Sequence, residues 1–195
     1  MIHALVLAAG AGERMGAAKP LLRWRDRSFV AHVVAAVRDG GCTRAWVVQG
    51  AWPLPVEELG DATVVAHPGW AAGPFTSLQA GVRAISATPP GAVLVASIDR
   101  PHLRVQTVAA LIEAWRREPA AIWQPLQAGR RGHPVLLPWS AAAHALVSPA
   151  VSLRELMAAL PHPRRTLASD DPAVLDNIDT PEDLARLLAE DGSQG

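Results

Sequence analysis

Residues 5–22 have the sequence LVLAAGAGERMGAAKPLL, in which an apolar run stops abruptly at two glycines. The apolar run predicts a buried strand over residues 2–7. Arg14 and Lys19 follow in a short loop that shows no other strong anchor. Such a loop can place backbone N–H groups and two cations around a polyphosphate, which indicates nucleotide handling. The alternative is a glycine-rich strand-to-helix turn with solvated charges.

Two familiar phosphate loops do not fit this stretch. A Walker-type loop needs G-x-x-x-x-G-K-[ST]. Counting from Gly10, Met15 holds the position of its second glycine, and Lys19 is followed by Pro20. A dinucleotide fingerprint needs G-x-G-x-x-G and, about 20 residues later, an acid at the end of the second strand. Met15 again replaces a glycine, and the second predicted strand ends in Gln49.

The composition favours a single α/β domain and gives no reason to expect certain partners. The formal net charge is +0, so neither nucleic acid nor an anionic membrane is an expected partner. Apolar runs such as residues 92–98 are too short to span a bilayer, and the N-terminus lacks the basic region of a signal peptide. The single cysteine, Cys42, fits a reducing cytoplasm. We expect one domain over residues 1–190 and a disordered tail over residues 191–195.

Strand and helix patterns alternate along the chain. Strands are predicted at residues 2–7, 45–49, 63–67, 92–98, 120–124 and 134–137. Helices are predicted from Ser28 to about Arg38, at residues 77–85 and 105–117, from Ser152 to about Leu160, and from Thr180 onward, with the three named hydroxyl residues as N-caps. This alternation predicts a three-layer α/β/α, Rossmann-like fold with a mostly parallel sheet. Ligands of such sheets bind beyond the carboxyl ends of the strands, where loops 10–19 and 67–73 and Asp99 are expected.

Asp99 ends the most apolar predicted strand and precedes Arg100 and Pro101. Mg²⁺ is usually held by one or two carboxylates together with substrate phosphates. A carboxylate at a strand tip beside a triphosphate loop is well placed for that role. The alternative is that Asp99 only caps the helix that follows Pro101.

The pattern L-A-A-G-x-G-x-R-M-G-x-x-K-x-L-L resembles the signature loop of the nucleotidyltransferases that act on the molybdenum cofactor. The resemblance implies that Arg14, Lys19 and Asp99 are catalytic. It also implies a nucleotide site formed by Leu7, Ala8, Ala9, Gly10, Gly12, Arg14, Lys19, Gly73 and Ser77. Gly73 and Ser77 belong to residues 68–81, which resemble the family's N-P-x-W-x-x-G-x-x-x-S-L-x-x-G element with His67 in place of its Asn. Ser77 could instead be a helix N-cap.

Two later segments extend the resemblance. Residues 178–184, IDTPEDL, resemble the family's closing segment, which implies that Asp179 joins Asp99 on the metal. Helix N-terminal electrostatics is the alternative for this acidic run. Residues 129–137 resemble the G-x-x-G-H-P-V element near the acceptor, which implies acceptor contacts for Arg130, Arg131 and His133. A plain hairpin turn with solvated arginines is the alternative.

The resemblance therefore implies a Mg²⁺-dependent transfer of CMP from CTP to the phosphate of molybdopterin, with release of pyrophosphate and possible delivery to a molybdenum enzyme. The L-A-A-G start is typical of the cytidylyl branch, and Ala9 would narrow the base pocket toward a pyrimidine. Arg100 and residues 148–155, which lack the family's usual Gly-Asp, depart from the pattern and leave the acceptor open. A different phosphorylated acceptor, such as a sugar phosphate, and a non-catalytic nucleotide- or cofactor-binding accessory protein for a molybdenum enzyme are the alternatives.

Overall fold

A mixed β-sheet organises the chain, of which the computed structural model describes residues 1–192. Its strands are β1 (Ile2–Ala8), β2 (Arg23–Trp24), β3 (Arg27–Ser28), β4 (Arg44–Gln49), β5 (Thr63–Ala66), β6 (Ala92–Ser97), β7 (Ile122–Gln127), β8 (Arg130–Arg131), β9 (Val135–Pro138) and β10 (Arg164–Ala168). The order across the main sheet is β10-β7-β9-β6-β1-β4-β5, with β8 on β7, while β2 and β3 form a separate hairpin. Strand β9 is antiparallel to both of its neighbours, and β1, β4, β5 and β6 are mutually parallel. The predicted mostly parallel sheet is confirmed.

Helices cover both faces of this sheet. They are α1 (Phe29–Asp39), α2 (Pro74–Ile85), α3 (Val105–Arg117), α4 (Trp139–Ala143), α5 (Leu153–Ala159) and α6 (Pro181–Gly192). Alternate residues of a strand point to opposite faces, so Ala4 and Val6 of β1 pack with α1 and α3, while Leu5 packs with α2, α4 and α5. A third cluster joins α6 to the loop after β1 through Leu187 and Met15. This is the three-layer α/β/α arrangement that the sequence predicts.

The predicted N-caps of three helices are confirmed. Ser28 and Ser152 accept hydrogen bonds from backbone N–H groups of α1 and α5, and the Asp183 N–H donates to Thr180 Oγ1 at 3.2 Å. Asp183 in turn accepts from the Thr180 N–H at 2.9 Å, which completes a reciprocal cap. The chain entering α6 is therefore held rigidly just after Asp179.

Asp99 does not cap the helix after Pro101, because α3 begins only at Val105. The buried carboxylate of Asp171 takes the capping role from a distant part of the chain. It accepts the Arg104 N–H at 3.0 Å and the Thr107 hydroxyl at 2.7 Å, and its other oxygen accepts the Ala173 N–H at 3.0 Å. Asp99 therefore takes no part in capping α3.

Several predicted boundaries were wrong. Helix α2 begins at Pro74 and not at Ser77, strand β7 is shifted to Ile122–Gln127, and the edge strand β10 and the β2–β3 hairpin were missed. The sequence of β10, RRTLA, is too polar to predict a strand. Its strand conformation comes from pairing with its single neighbour, β7, at the edge of the sheet. Helix α6 continues to Gly192, two residues into the segment predicted as a tail, and residues 193–195 lie outside the described residues.

Candidate active site

The loop after β1 is anchored at three points, contrary to the sequence expectation. Gly12 adopts a left-handed conformation (φ 73°), and its carbonyl accepts the N–H groups of Met15 and Gly16 at 2.9 and 3.0 Å. Met15 is buried, and the Trp52 indole N–H donates to the carbonyl of Ala11 at 2.8 Å. A Cβ at Gly12 would lie 2.6 Å from the Ala17 carbonyl oxygen, so this close turn requires glycine. A Cβ at Gly10 would meet no atom within 4 Å.

A cleft of about 640 Å³ opens at the carboxyl edge of the parallel strands. It is lined by the loop after β1, the 3₁₀ turn Trp70–Ala72, the start of α2, the tip of β6 and the segment before α6. Nearly all of the residues predicted for the nucleotide and metal are brought together there: Leu7, Ala9, Gly10, Gly12, Arg14, Lys19, Gly73, Ser77, Asp99 and Asp179. Ala8 is buried beneath the cleft and does not line it.

Asp179 is the centre of the charged cluster in this cleft. Arg14 Nη2 donates to its carboxylate at 2.9 Å, and the Lys19 ammonium makes a short hydrogen bond to its other oxygen. Burial by itself raises the pKa of the Asp179 carboxyl. The hydrogen bond and charge of Lys19, with the charge of Arg14, outweigh that effect and hold the pKa below its usual value. Asp179 is therefore a firmly ionised carboxylate.

Asp99 is tied to the same segment through its backbone. The carbonyl of Asp99 accepts the Ile178 N–H at 2.7 Å, which fixes the tip of β6 against the residue that precedes Asp179. The Asp99 carboxylate faces the cleft and accepts a hydrogen bond from Arg100 Nη1 at 3.1 Å. Tertiary contacts thus bring together two carboxylates that are 80 residues apart in sequence.

The donor set of the cleft fits a divalent cation that is completed by phosphate oxygens. Carboxylates from Asp99 and Asp179 line it, and hard oxygen ligands are those that Mg²⁺ and Mn²⁺ prefer. In the part of the chain that the structure describes, no group of three or more His, Cys, Asp or Glu side chains is arranged to hold a metal ion.

Gly73 and Ser77 both reach the cleft, although not as predicted in detail. Gly73 is the N-cap residue of α2, with φ 113° and ψ 166°, and Pro74 is the first helical residue. Ser77 therefore lies inside the helix, and the N-cap alternative for it was wrong. Its side chain is buried and faces the cleft. The neighbouring Thr76 hydroxyl bonds to the Gly73 carbonyl at 2.7 Å and to His67 Nε2 at 2.9 Å, which fixes this corner.

The three predicted acceptor residues separate in the structure. Arg130 and Arg131 form the exposed strand β8, paired with Gln127 and Leu126, and neither lines the cleft. His133 instead lines a smaller cavity beside the cleft, together with Arg100. Burial lowers the pKa of His133 to about 4, with a further lowering from Arg100 that Asp99 opposes, so its imidazole is neutral at physiological pH.

Sequence reasoning missed several contributors to the cleft. Trp70 and Asn177 line it, and Gly50 supports it because a Cβ there would lie 2.4 Å from the Ala9 carbonyl oxygen. The I-D-T-P-E-D-L segment was the available clue for Asn177, which stands two residues before its Asp.

A glycine-rich, cationic loop and two carboxylates at the carboxyl edge of a parallel sheet define an α/β protein that handles nucleotides. The MobA-like NTP transferase domain matches residues 4–167, and the chain belongs to that family. The predicted resemblance is confirmed at the level of the family, and the protein is a nucleotidyltransferase. Among the described residues, no helix is long and apolar enough to cross a membrane.

One relative and two solved structures are similar to this chain. It is 33% identical over 164 residues to a phosphoenolpyruvate guanylyltransferase of Rubrobacter xylanophilus, covering 83% of this chain and 78% of the relative. A nucleotidyl transferase from Methanothermobacter has a similar fold, with a TM-score of 0.82, 22% identity and coverage of 100% and 99% of the two chains. The manganese complex of Rv0371c from Mycobacterium tuberculosis gives a TM-score of 0.75 at 23% identity, covering 96% and 98%.

Proposed function

We propose that this nucleotidyltransferase uses a divalent cation, Mg²⁺ in the simplest case, to transfer a nucleoside monophosphate to the phosphate of a small-molecule acceptor. The observation that carries the proposal is the convergence of Arg14, Lys19, Asp99 and Asp179 in one cleft at the carboxyl edge of the sheet. Two carboxylates and two cations are what a metal–triphosphate complex needs, because the carboxylates hold the cation and the basic side chains hold the phosphates.

The basic side chains of the cleft can change their ion-pair partners when a nucleotide binds. In the absence of nucleotide, Arg14 and Lys19 are paired with Asp179. A divalent cation on Asp99 and Asp179 would neutralise charge on the phosphates and polarise the α-phosphorus. Arg14 and Lys19 would then turn from Asp179 to the triphosphate, so that every charge keeps a partner in this partly buried site. The backbone at Gly10 leaves room for the phosphates to approach.

The chemistry requires little general-base help. An oxygen of the acceptor phosphate, already ionised at neutral pH, forms a bond to the α-phosphorus. The bond from the α-phosphorus to the bridging oxygen breaks, and pyrophosphate leaves with its negative charge facing Arg14 and Lys19. Catalysis then rests on positioning and on charge stabilisation by residues already fixed by the fold.

Two pairs of nucleotide and acceptor are each supported by a different observation. CTP and molybdopterin are supported by the L-A-A-G start of the loop, with Ala9 as the residue that would narrow the base pocket. GTP and phosphoenolpyruvate are supported by the substrate in the name of the relative that is 33% identical. A non-catalytic accessory protein is disfavoured, since the carboxylates and cations needed for turnover are all present in the cleft.

The test is pyrophosphate release with Mg²⁺ and each of CTP, GTP, ATP and UTP, in the presence of molybdenum-loaded molybdopterin or of phosphoenolpyruvate. Release that requires one nucleotide, one acceptor and the metal is the expected result. GTP turnover well above CTP turnover would rule out the cytidylyl version. Nucleotide binding without metal-dependent release, with either acceptor and with other phosphorylated acceptors, would support the accessory-protein alternative.

A further inference from the structure

A second cavity, of about 270 Å³, adjoins the nucleotide cleft. The two share the polar residues Ser97, Asp99 and Asn177, so a molecule in the smaller cavity lies next to the proposed metal position. Most of its wall is apolar, formed by Leu7, Pro74, Phe75, Leu78, Val95, Ala96 and Leu153. Its size lies just below the range of about 300–1,000 Å³ that is typical of sites for drug-sized ligands. The cavity suits a compact molecule.

Arg100 is the cationic residue among the described residues that line this cavity. Its side chain is only 9% exposed, and Nη1 forms an ion pair with Asp99 at 3.1 Å. The Nε atom of Arg100 is buried and has no hydrogen-bond partner in the described part of the chain. A buried guanidinium with an unsatisfied N–H group is destabilising unless a ligand accepts that hydrogen bond.

The proposed metal role of Asp99 removes the partner that Arg100 has. If the Asp99 carboxylate turns to a divalent cation, the Arg100 guanidinium becomes a buried and uncompensated charge. His133 in the same cavity cannot compensate it, because an imidazole carries no negative charge in either of its ordinary protonation states. An anionic group of the ligand beside Arg100 would restore the electrostatic balance of the loaded site.

We infer that this cavity is the acceptor subsite and that Arg100 binds a carboxylate of the acceptor, which is a compact phosphorylated carboxylic acid. This inference rests on the proposed function, because it takes Asp99 as a metal ligand. The acceptor phosphate lies at the shared wall near Asp99, and its carboxylate reaches Arg100 inside the cavity. The exposed Arg130 and Arg131 have no part in it.

The test uses two probes that differ only at the carboxylate. Phosphoglycolate and ethyl phosphate are both phosphate esters of two-carbon units. Each is titrated calorimetrically into the full chain with Mg²⁺ and a nucleotide analogue that carries a methylene bridge between the α- and β-phosphates. Phosphoglycolate should bind the wild-type protein about 10- to 100-fold more tightly, the value of a charge-assisted hydrogen bond. Arg100→Gln should remove that preference by weakening the binding of phosphoglycolate far more than that of ethyl phosphate.

Matched variants separate the subsite from general effects. Arg104→Gln is the control, because that side chain is exposed, pairs with Asp170 and does not line the cavity. It should keep the full preference for phosphoglycolate. Arg100→Lys keeps the charge without the planar fork and should give an intermediate preference. If Arg100→Gln does not fold, as judged by circular dichroism, the wild-type protein and Arg100→Lys still decide the question.

Equal binding of both probes to the wild-type protein overturns the inference, as does the absence of binding at 10 mM or an equal loss of both in Arg100→Gln. These outcomes are independent of the proposed function, which is measured by pyrophosphate release. Release without any carboxylate preference would leave the function standing and remove the subsite. An Arg100-dependent preference without release would leave the subsite standing and remove the function.

Discussion

The replacement Asp99→Asn tests the metal role of the strand tip most directly. The amide keeps an oxygen that can accept the 3.1 Å hydrogen bond from Arg100, and the backbone bond to Ile178 is untouched. The fold should therefore survive, while one of the two carboxylates proposed to hold the cation loses its charge. Loss of one preorganised electrostatic stabiliser costs about 10²–10³ in turnover, or ~2.7–4 kcal/mol. We expect a fall of at least ~100-fold in pyrophosphate release and a higher Mg²⁺ concentration for half-maximal activity.

The control for this variant is Asp170→Asn. The Asp170 side chain is 97% exposed and forms an ion pair with Arg104 on a surface outside the cleft. Its turnover and Mg²⁺ dependence should match the wild-type protein. A turnover of Asp99→Asn within about threefold of wild type, with the fold intact, would refute the assignment of Asp99 as a metal ligand.

Three further predictions concern the framework of the site. Asp171→Ala should lower the free energy of unfolding by about 3 kcal/mol and the Tm by roughly 6–12 °C, because three donors lose their acceptor. The control Asp170→Ala should change neither quantity. A loss below 1 kcal/mol for Asp171→Ala in urea unfolding would contradict this prediction. Asp179, whose pKa is held below the usual 3.8, should stabilise the fold fully above about pH 4 and lose that contribution as the pH falls through its lowered pKa. The Tm difference between wild type and Asp179→Asn should therefore shrink in acid, and a constant difference from pH 7 to pH 2 would argue against it. Gly12→Ala should cost about 1–2 kcal/mol of stability, because the backbone there is left-handed and the new Cβ would contact Ala17. Gly10→Ala should instead keep the wild-type Tm and weaken nucleotide binding. An unchanged nucleotide affinity of Gly10→Ala in calorimetry would show that Gly10 does not belong to the phosphate site.

The strongly patterned elements could be predicted from the sequence because their signals are local. The apolar runs of β1 and β6 are typical of parallel strands that are buried on both faces. The caps at Ser28, Ser152 and Thr180 depend on residues within a few positions of each other. The loop after β1 was identified for the same reason. Its glycines and cations are contiguous, so their spacing alone excludes other phosphate loops.

The elements that were missed or misplaced depend on distant partners. Strand β10 is polar and becomes a strand only by pairing with β7. Helix α2 starts at Pro74 because Gly73 and the 3₁₀ turn before it fix the chain direction, and not because of Ser77. The capping of α3 by Asp171 joins residues 67 positions apart, a separation that no local pattern reveals.

The sequence by itself determined the class of fold, the family and four of the charged residues that line the cleft, which are Arg14, Lys19, Asp99 and Asp179. Periodicity and capping are local properties, and the family pattern is carried by contiguous motifs. The tertiary structure alone decided which of those residues meet. It joined Asp99 to the segment of Asp179, excluded Arg130 and Arg131 from the cleft, and buried Arg100 in a cavity beside it. Contacts of this kind depend on how helices and strands pack across the sheet, and the free energy of a buried charge is set by neighbours that are remote in sequence.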